Sequence, residues 1–122
     1  MKVLLSIKPE YVEKIFNGSK KYEIRKNIFK RKNIKKIIIY SSSPISKIVG
    51  EFEIEDIITD DLENIWNIIK NDSGVSIDFF YQYFEDKNKA YAIKIGKIKK
   101  YRKPKKLAEL NINYAPQSYV YI

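Results

Sequence analysis

Gly18-Ser19-Lys20-Lys21-Tyr22-Glu23-Ile24-Arg25 lies where the chain changes its hydrophobic period. Upstream, Val12, Ile15 and Phe16 recur at the i, i+3, i+4 spacing of a helix. Pro9 stands at its first position, Glu10 in its first turn and Gly18 at its stop, so a helix is predicted over 9–17. Downstream, residues 20–26 alternate: Tyr22 and Ile24 fall on one face, Lys21, Glu23 and Arg25 on the other, as in a strand. Lys20 directly follows the helix stop and is expected at the mouth of a cleft. There its ammonium could meet a phosphate or, once desolvated, serve as a base or nucleophile. A solvated lysine in a lysine-rich chain is the plainer reading. Glu23 and Arg25, two residues apart on one strand face, can pair. Such a pair either orients a guanidinium fork for phosphate or base edges, or acts as a structural brace.

Working outward, residues 3–7 form a short apolar strand, and 36–41 form a buried strand built on Ile37, Ile38, Ile39 and Tyr40. Ser41, Ser42, Ser43 and Pro44 make a polar turn whose hydroxyls could line the cleft. Residues 47–58 alternate, with Ile48, Gly50, Phe52 and Ile54 opposed to Glu51, Glu53 and Glu55. Thr59 or Asp60 is expected to cap a helix whose apolar face is Leu62, Ile65, Trp66 and Ile69. After Gly74, Ser76 caps a second short helix carrying Phe79, Phe80, Tyr83 and Phe84, spaced as core residues. Residues 91–100 return to strand alternation, and pairing is expected to end near Pro104. One helical turn at 107–110 and a strand at 118–122 complete the chain. Six short strands with three or four short helices indicate one α+β domain over residues 1–122, a small, partly closed β-barrel with short flanking helices.

The 122 residues include no cysteine and no histidine. Disulfides, thiolate nucleophiles, Cys/His zinc sites and imidazole bases are therefore excluded. No apolar run is long enough to span a bilayer, and the N-terminus lacks a signal-peptide core. A cytoplasmic protein without membrane association is expected. The formal charge is +9, but it is not evenly distributed. Residues 1–50 carry 13 basic and 3 acidic side chains, residues 51–86 carry 1 and 11, and residues 87–122 carry 10 and 1. The expectation is a positive face uniting the two ends of the chain, with the acidic middle elsewhere. Glu55, Asp56, Asp60 and Asp61 offer oxygen ligands for magnesium. Carboxylates at a helix N-terminus account for Asp60 and Asp61 without a metal, so neither metal nor cofactor is expected.

Gly18-x-Lys20-x-x-Glu23-x-Arg25 resembles the signature of the ASCH domain family, within the PUA-like group of small β-barrels. The first strand ending Ser6-Ile7-Lys8-Pro9, the Tyr40-to-Pro44 turn and the Val49-Gly50-Glu51-Phe52 strand are similar in order and spacing. Ala90-Tyr91-Ala92-Ile93 and Ala115-Pro116-Gln117-Ser118 are similar more weakly, and residues 59–86 and 99–112 match nothing specific. The resemblance implies a PUA-like barrel with a cleft beside the signature, lined by Gly18, Ser41, Ser42 and Ser43. It implies RNA binding for most members. For a few it implies hydrolysis of N4-acetylcytidine nucleosides, and for some ribonuclease activity. In the amidohydrolase branch the signature lysine, here Lys20, is catalytic. That branch carries a threonine where Glu23 stands here, and uses a further glutamate that could be Glu51, Glu53 or Glu55.

The leading expectation is a nucleic-acid-binding module, for RNA, with Lys20, Lys21, Arg25, Lys26, Lys30, Arg31, Lys32, Lys99, Lys100, Tyr101 and Arg102 as contacts. Tyr101, inside the second basic run, would offer a ring on which a base stacks. The alternative is a small hydrolase acting on a modified nucleoside or on RNA, with Lys20 and Glu23 catalytic. A third reading is a protein partner bound through the acidic middle.

Overall fold

In a computed structural model describing residues 1–122, six strands form one sheet in the order β2-β5-β4-β3-β1-β6. In chain order the elements are β1 (Lys2–Ile7), α1 (Pro9–Phe16), β2 (Tyr22–Arg25), β3 (Lys36–Ser41) and β4 (Lys47–Asp61). Then come α2 (Leu62–Ile69), α3 (Ile77–Tyr83), β5 (Lys89–Lys105), a 3-10 turn (Leu107–Leu110) and β6 (Tyr119–Tyr121). Only β1 and β3 run parallel, and the connection between them carries α1 and β2. The other neighbours are antiparallel. The sheet curls into a half-barrel, the α+β PUA-like architecture expected from the sequence. No helix is long and apolar enough to cross a membrane.

The near-continuous apolar runs of β1 and β3 follow from burial on both faces. On the concave face Val3, Leu5, Ile7, Ile37 and Ile39 pack with Val12 and Ile15 of α1. On the other, Leu4, Ile38, Tyr40 and Ile48 are covered by Tyr101, Leu107, Ile112 and Val120. A further cluster joins α2 and α3 to the start of β5 through Ile65, Ile69, Phe80, Phe84, Ala90 and Ala92.

Two long strands, β4 and β5, do the curling. Their register shifts between Ile48 and Gly50, between Phe52 and Ile54, and between Ile54 and Asp56. Each irregularity bends the ladder and increases its twist. The same pairing corrects one boundary. β4 stays paired to β5 as far as Asp61↔Lys89, so Thr59 and Asp60 belong to the strand. The helix cap is therefore Asp61, whose carboxylate accepts from the Asn64 backbone N–H at 2.8 Å. At the other end pairing stops at Ile48↔Lys105, next to Pro104 as expected, and the register jump between Gly50↔Lys100 and Ile48↔Lys105 gives the proline an irregularity to occupy.

The acidic middle does not sit apart. β4 runs between the basic strands β3 and β5, and Glu51 pairs with Lys36 at 3.1 Å while accepting from the Tyr101 hydroxyl at 2.8 Å. Glu55 pairs with Lys94 at 3.6 Å. Charges separated along the chain are interleaved across the sheet.

Gly50 is where α1 presses on this ladder. A Cβ there would lie 2.6 Å from the Lys99 carbonyl oxygen and 2.8 Å from Cζ of Phe16. Gly50→Ala is expected to destabilise the fold by about 1–3 kcal/mol, as overpacking does. Urea unfolding should show a lower midpoint at an unchanged slope.

Candidate nucleotide pocket

The signature segment enters the structure through the turn after α1. The Asn17 side chain accepts from Ser19 N–H at 2.9 Å, and the Lys20 N–H donates to the Lys14 carbonyl at 3.0 Å. Gly18 takes a φ of +85°, a conformation that disfavours any residue with a Cβ. This turn sends Lys20 inward. Its side chain is 1% exposed, at the floor of a cleft rather than at its mouth.

What holds Lys20 is the loop between α2 and α3. Three successive carbonyls of that loop are each taken by a lysine: Asp72 by the Lys21 backbone N–H (2.6 Å), Ser73 by Lys20 Nζ (2.6 Å) and Gly74 by Lys14 Nζ (2.8 Å). Gly74 has a φ of +73°, and a Cβ there would crowd Cβ, Cγ and Cδ of Lys20 at 3.0–3.3 Å. The lysine stem thus lies directly on the loop backbone. Its ammonium is also 3.9 Å from Glu23 Oε1 and 5.2 Å from the centre of the Tyr11 ring. Burial lowers the Lys20 pKa below the ordinary lysine value; Glu23 opposes the shift and Lys14 adds to it.

Glu23 and Arg25 do pair, at 3.1 Å. The same guanidinium donates to the Ser6 carbonyl (3.4 Å) and to the carbonyl and hydroxyl of Ser118 (3.2 and 3.0 Å). Arg25 therefore braces β2, β1 and the segment before β6, and fixes one oxygen of Glu23 while the other faces Lys20. The resulting row is cation, carboxylate, cation.

Above it opens a cavity of about 420 Å³. Ser6, Ile7, Lys8 and Tyr11 line one side; Gln117, Ser118 and Ser42 another. Val75, Phe79 and Tyr83 of the α2–α3 loop and α3 complete the lining with Lys20, Glu23, Ile24, Arg25, Lys26 and Asn27. The Phe79 and Tyr83 rings are stacked, with centroids 5.9 Å apart and planes at 12°. Tyr11 lies 5.9 Å from Phe79, and the Lys26 ammonium sits 4.8 Å from the centre of the Tyr83 ring. Burial raises the pKa of both Tyr11 and Tyr83, so both phenols stay neutral hydrogen-bonding groups.

Of the residues singled out in the sequence, Lys20, Glu23, Arg25, Lys26 and Ser42 meet at this cavity. Ser41 is buried within β3; Ser43, Gly18 and Lys21 lie outside the lining. Lys30, Arg31 and Lys32 occupy an exposed turn against β6. Lys99, Lys100 and Arg102 lie on the distal half of β5, where the Lys100 ammonium is 5.6 Å from the Phe16 ring. Tyr101 is half-buried on the same strand. Its hydroxyl donates to Glu51, the Lys105 ammonium lies 5.4 Å from its ring centre, and it packs against the cluster of Leu4, Ile38, Tyr40 and Ile48. Burial and Glu51 together push its pKa upward.

Sequence reading missed Tyr11, Phe79, Tyr83 and Ser118 as cavity residues. Phe79 and Tyr83 share the helical period of Phe80 and Phe84, which are fully buried, so spacing alone assigned all four to the core. The carboxylates Asp56 and Asp60 accept from the backbone N–H of the residue after each, and Asp61 caps α2. No group of three or more acidic side chains is gathered where it could hold a metal ion.

The family model described as "Domain of unknown function (DUF365)" matches residues 1–119. The crystal structure of ASCH from Zymomonas mobilis superposes with a TM-score of 0.90 at 26% identity, covering 99% of this chain and 87% of that one. The chain is an ASCH domain of the DUF365 family. A Zymomonas mobilis protein named ASCH domain-containing ribonuclease is 28% identical over 89 residues, 73% of this chain and 60% of that protein. The ASCH domain is also similar to part of two Ureaplasma parvum proteins. One is named ATP synthase subunit alpha (31% identical over 121 residues) and the other large ribosomal subunit protein uL22 (29% over 120). Each match covers 98% of this chain but only 15% and 39%, respectively, of those longer proteins.

Burial of Lys20 makes stability depend on pH in a known direction. Its pKa in the folded domain lies below the 10.5 of a free lysine, so the unfolded chain binds more protons in the interval between the two. The penalty of the buried charge is present in full below the folded pKa and vanishes as pH rises through it towards 10.5. Denaturant titrations of the wild type and Lys20→Met at neutral pH and near pH 10 should show the wild type gaining relative to the variant at the higher pH.

Proposed function

We propose that this ASCH domain binds RNA and takes one nucleoside unit into the pocket between β2 and α3. The observation that carries this reading is a single cavity lined both by the aromatic rings of Phe79 and Tyr83 and by the polar groups of Lys20, Glu23 and Arg25. A base has two apolar faces for stacking and a polar edge for hydrogen bonding, and single-stranded RNA is the form in which that edge is free. The volume lies within the range of small-molecule sites. Lys26 and Lys8 at the cavity supply positive charge for the attached phosphates. The Zymomonas relative named as a ribonuclease supports RNA as the partner class.

The test is a titration against short single-stranded RNA, duplex RNA and duplex DNA at several salt concentrations. Single-stranded RNA should bind best, with affinity falling as salt rises. Phe79→Leu keeps apolar volume but removes a stacking face, and should cost about 1–3 kcal/mol of binding. Absence of binding to every polymer at low salt overturns the reading.

A second reading, hydrolysis of RNA or of a modified nucleoside, is favoured by one observation. Lys20 is a desolvated lysine with a lowered pKa, beside Glu23 and near Tyr11, as a general base or nucleophile requires. Gel analysis of the same titrations detects cleavage of RNA, and chromatography of N4-acetylcytidine incubated with the protein detects hydrolysis of a modified nucleoside. Turnover that disappears in a folded Lys20→Ala variant supports the hydrolase; intact RNA and intact nucleoside throughout leave the binding module.

A further inference from the structure

The turn at residues 30–32 is basic, exposed and yet held in place. The Tyr121 hydroxyl accepts from two consecutive backbone N–H groups, Lys30 at 2.9 Å and Arg31 at 3.0 Å. The Arg31 guanidinium lies over the Tyr121 ring, 4.5 Å from its centre. Just before the turn, Phe29 is buried and meets Tyr119 edge-on at 6.1 Å. Two alternate residues of β6 thus dock the loop that follows β2. Lys30, Arg31 and Lys32 are exposed, and none of them has a carboxylate within ion-pair distance.

The position of this turn is set by β6. Ser118, which lines the pocket and is held by Arg25, is three residues from Tyr121, about 10 Å of extended chain. Lys26 and Asn27 line the pocket at the start of the same loop. The unpaired cations therefore begin at the pocket and continue along the β6 edge. A ligand confined to the pocket cannot reach the turn; a strand leaving the pocket can.

We propose that the Tyr121-docked turn carrying Lys30, Arg31 and Lys32 is a second subsite that binds backbone phosphates of the strand whose nucleoside occupies the pocket. It rests on the RNA-binding reading and extends it: the domain distinguishes a polynucleotide from a free nucleotide by interactions outside the pocket. Pinning the turn in advance reduces the ordering cost that a loose basic loop would incur on binding. Such interactions are phosphate-directed and independent of sequence.

The experiment compares a nucleoside monophosphate with a single-stranded RNA hexamer, on the wild type, Lys30→Ala/Lys32→Ala and Tyr121→Phe. Removing one lysine–phosphate interaction should reduce the slope of log affinity against log salt by about 0.7 on a single strand. The double variant should therefore show a slope shallower by about 1.4 with the hexamer and an unchanged monophosphate affinity. Tyr121→Phe keeps the ring under Arg31 but removes the acceptor, and should weaken the hexamer alone. Circular dichroism confirms the fold, and the two lysine changes, on an exposed turn, provide the test even if Tyr121→Phe perturbs packing. Wild-type hexamer affinity and slope in the double variant overturn the subsite while the pocket reading stands. An effect of the lysines without one of Tyr121→Phe overturns the docked geometry. A wild type that binds neither ligand overturns the pocket reading and the subsite with it.

Discussion

A lysine side chain that is 1% exposed must have its ammonium satisfied inside the protein, and much of the pocket follows from how this is done. Lys20 Nζ donates to the Ser73 carbonyl, so the α2–α3 loop has to pass directly over β2. Gly74 leaves room for the lysine stem, and Lys14 and Lys21 secure the carbonyls on either side. Once that loop is fixed, α3 follows, and with it the Phe79 and Tyr83 wall. The aromatic side of the pocket is thus positioned by the polar side. Glu23 offsets part of the buried charge, and Arg25 keeps Glu23 oriented.

The sheet provides the frame for this arrangement. β4 and β5 are long enough to curl because their register slips repeatedly, and their curl brings β2 at one edge and β6 at the other to the same end of the barrel. Arg25 spans that gap by hydrogen bonds to Ser6 and Ser118. The interleaving of Glu51 and Glu55 with Lys36, Lys94 and Tyr101 has a functional corollary. Part of the basic charge so conspicuous in composition is neutralised within the sheet. Near the pocket, Lys8 and the lysines and arginine of the β2–β3 loop before Lys36 have no carboxylate within ion-pair distance.

Much was legible in the linear order of residues. The 3.6-to-2 change of period around Gly18 located α1 and β2, and the alternation of Ile48, Gly50, Phe52 and Ile54 located β4. The Gly-x-Lys-x-x-Glu-x-Arg spacing singled out three of the pocket's charged groups. Errors arose where a partner strand decided the outcome. Thr59 and Asp60 have the side chains of helix caps, yet ladder pairing to β5 holds them in a strand and leaves the cap to Asp61.

Periodicity and capping chemistry act over a few residues, so the elements, the barrel class and the Lys20–Glu23–Arg25 signature are readable from the order of residues alone. Composition also decides which chemistries are closed, since a chain without cysteine or histidine can supply neither thiolate nor imidazole. Which aromatics line the cavity and which are fully buried depends on how the elements pack. Phe79 and Tyr83 have the same local pattern as Phe80 and Phe84, and only the packing of α3 against β5 and the loop over Lys20 separates the two pairs. The depressed pKa of Lys20 has the same origin, because desolvation is a property of what surrounds a side chain in space and not of its neighbours along the chain.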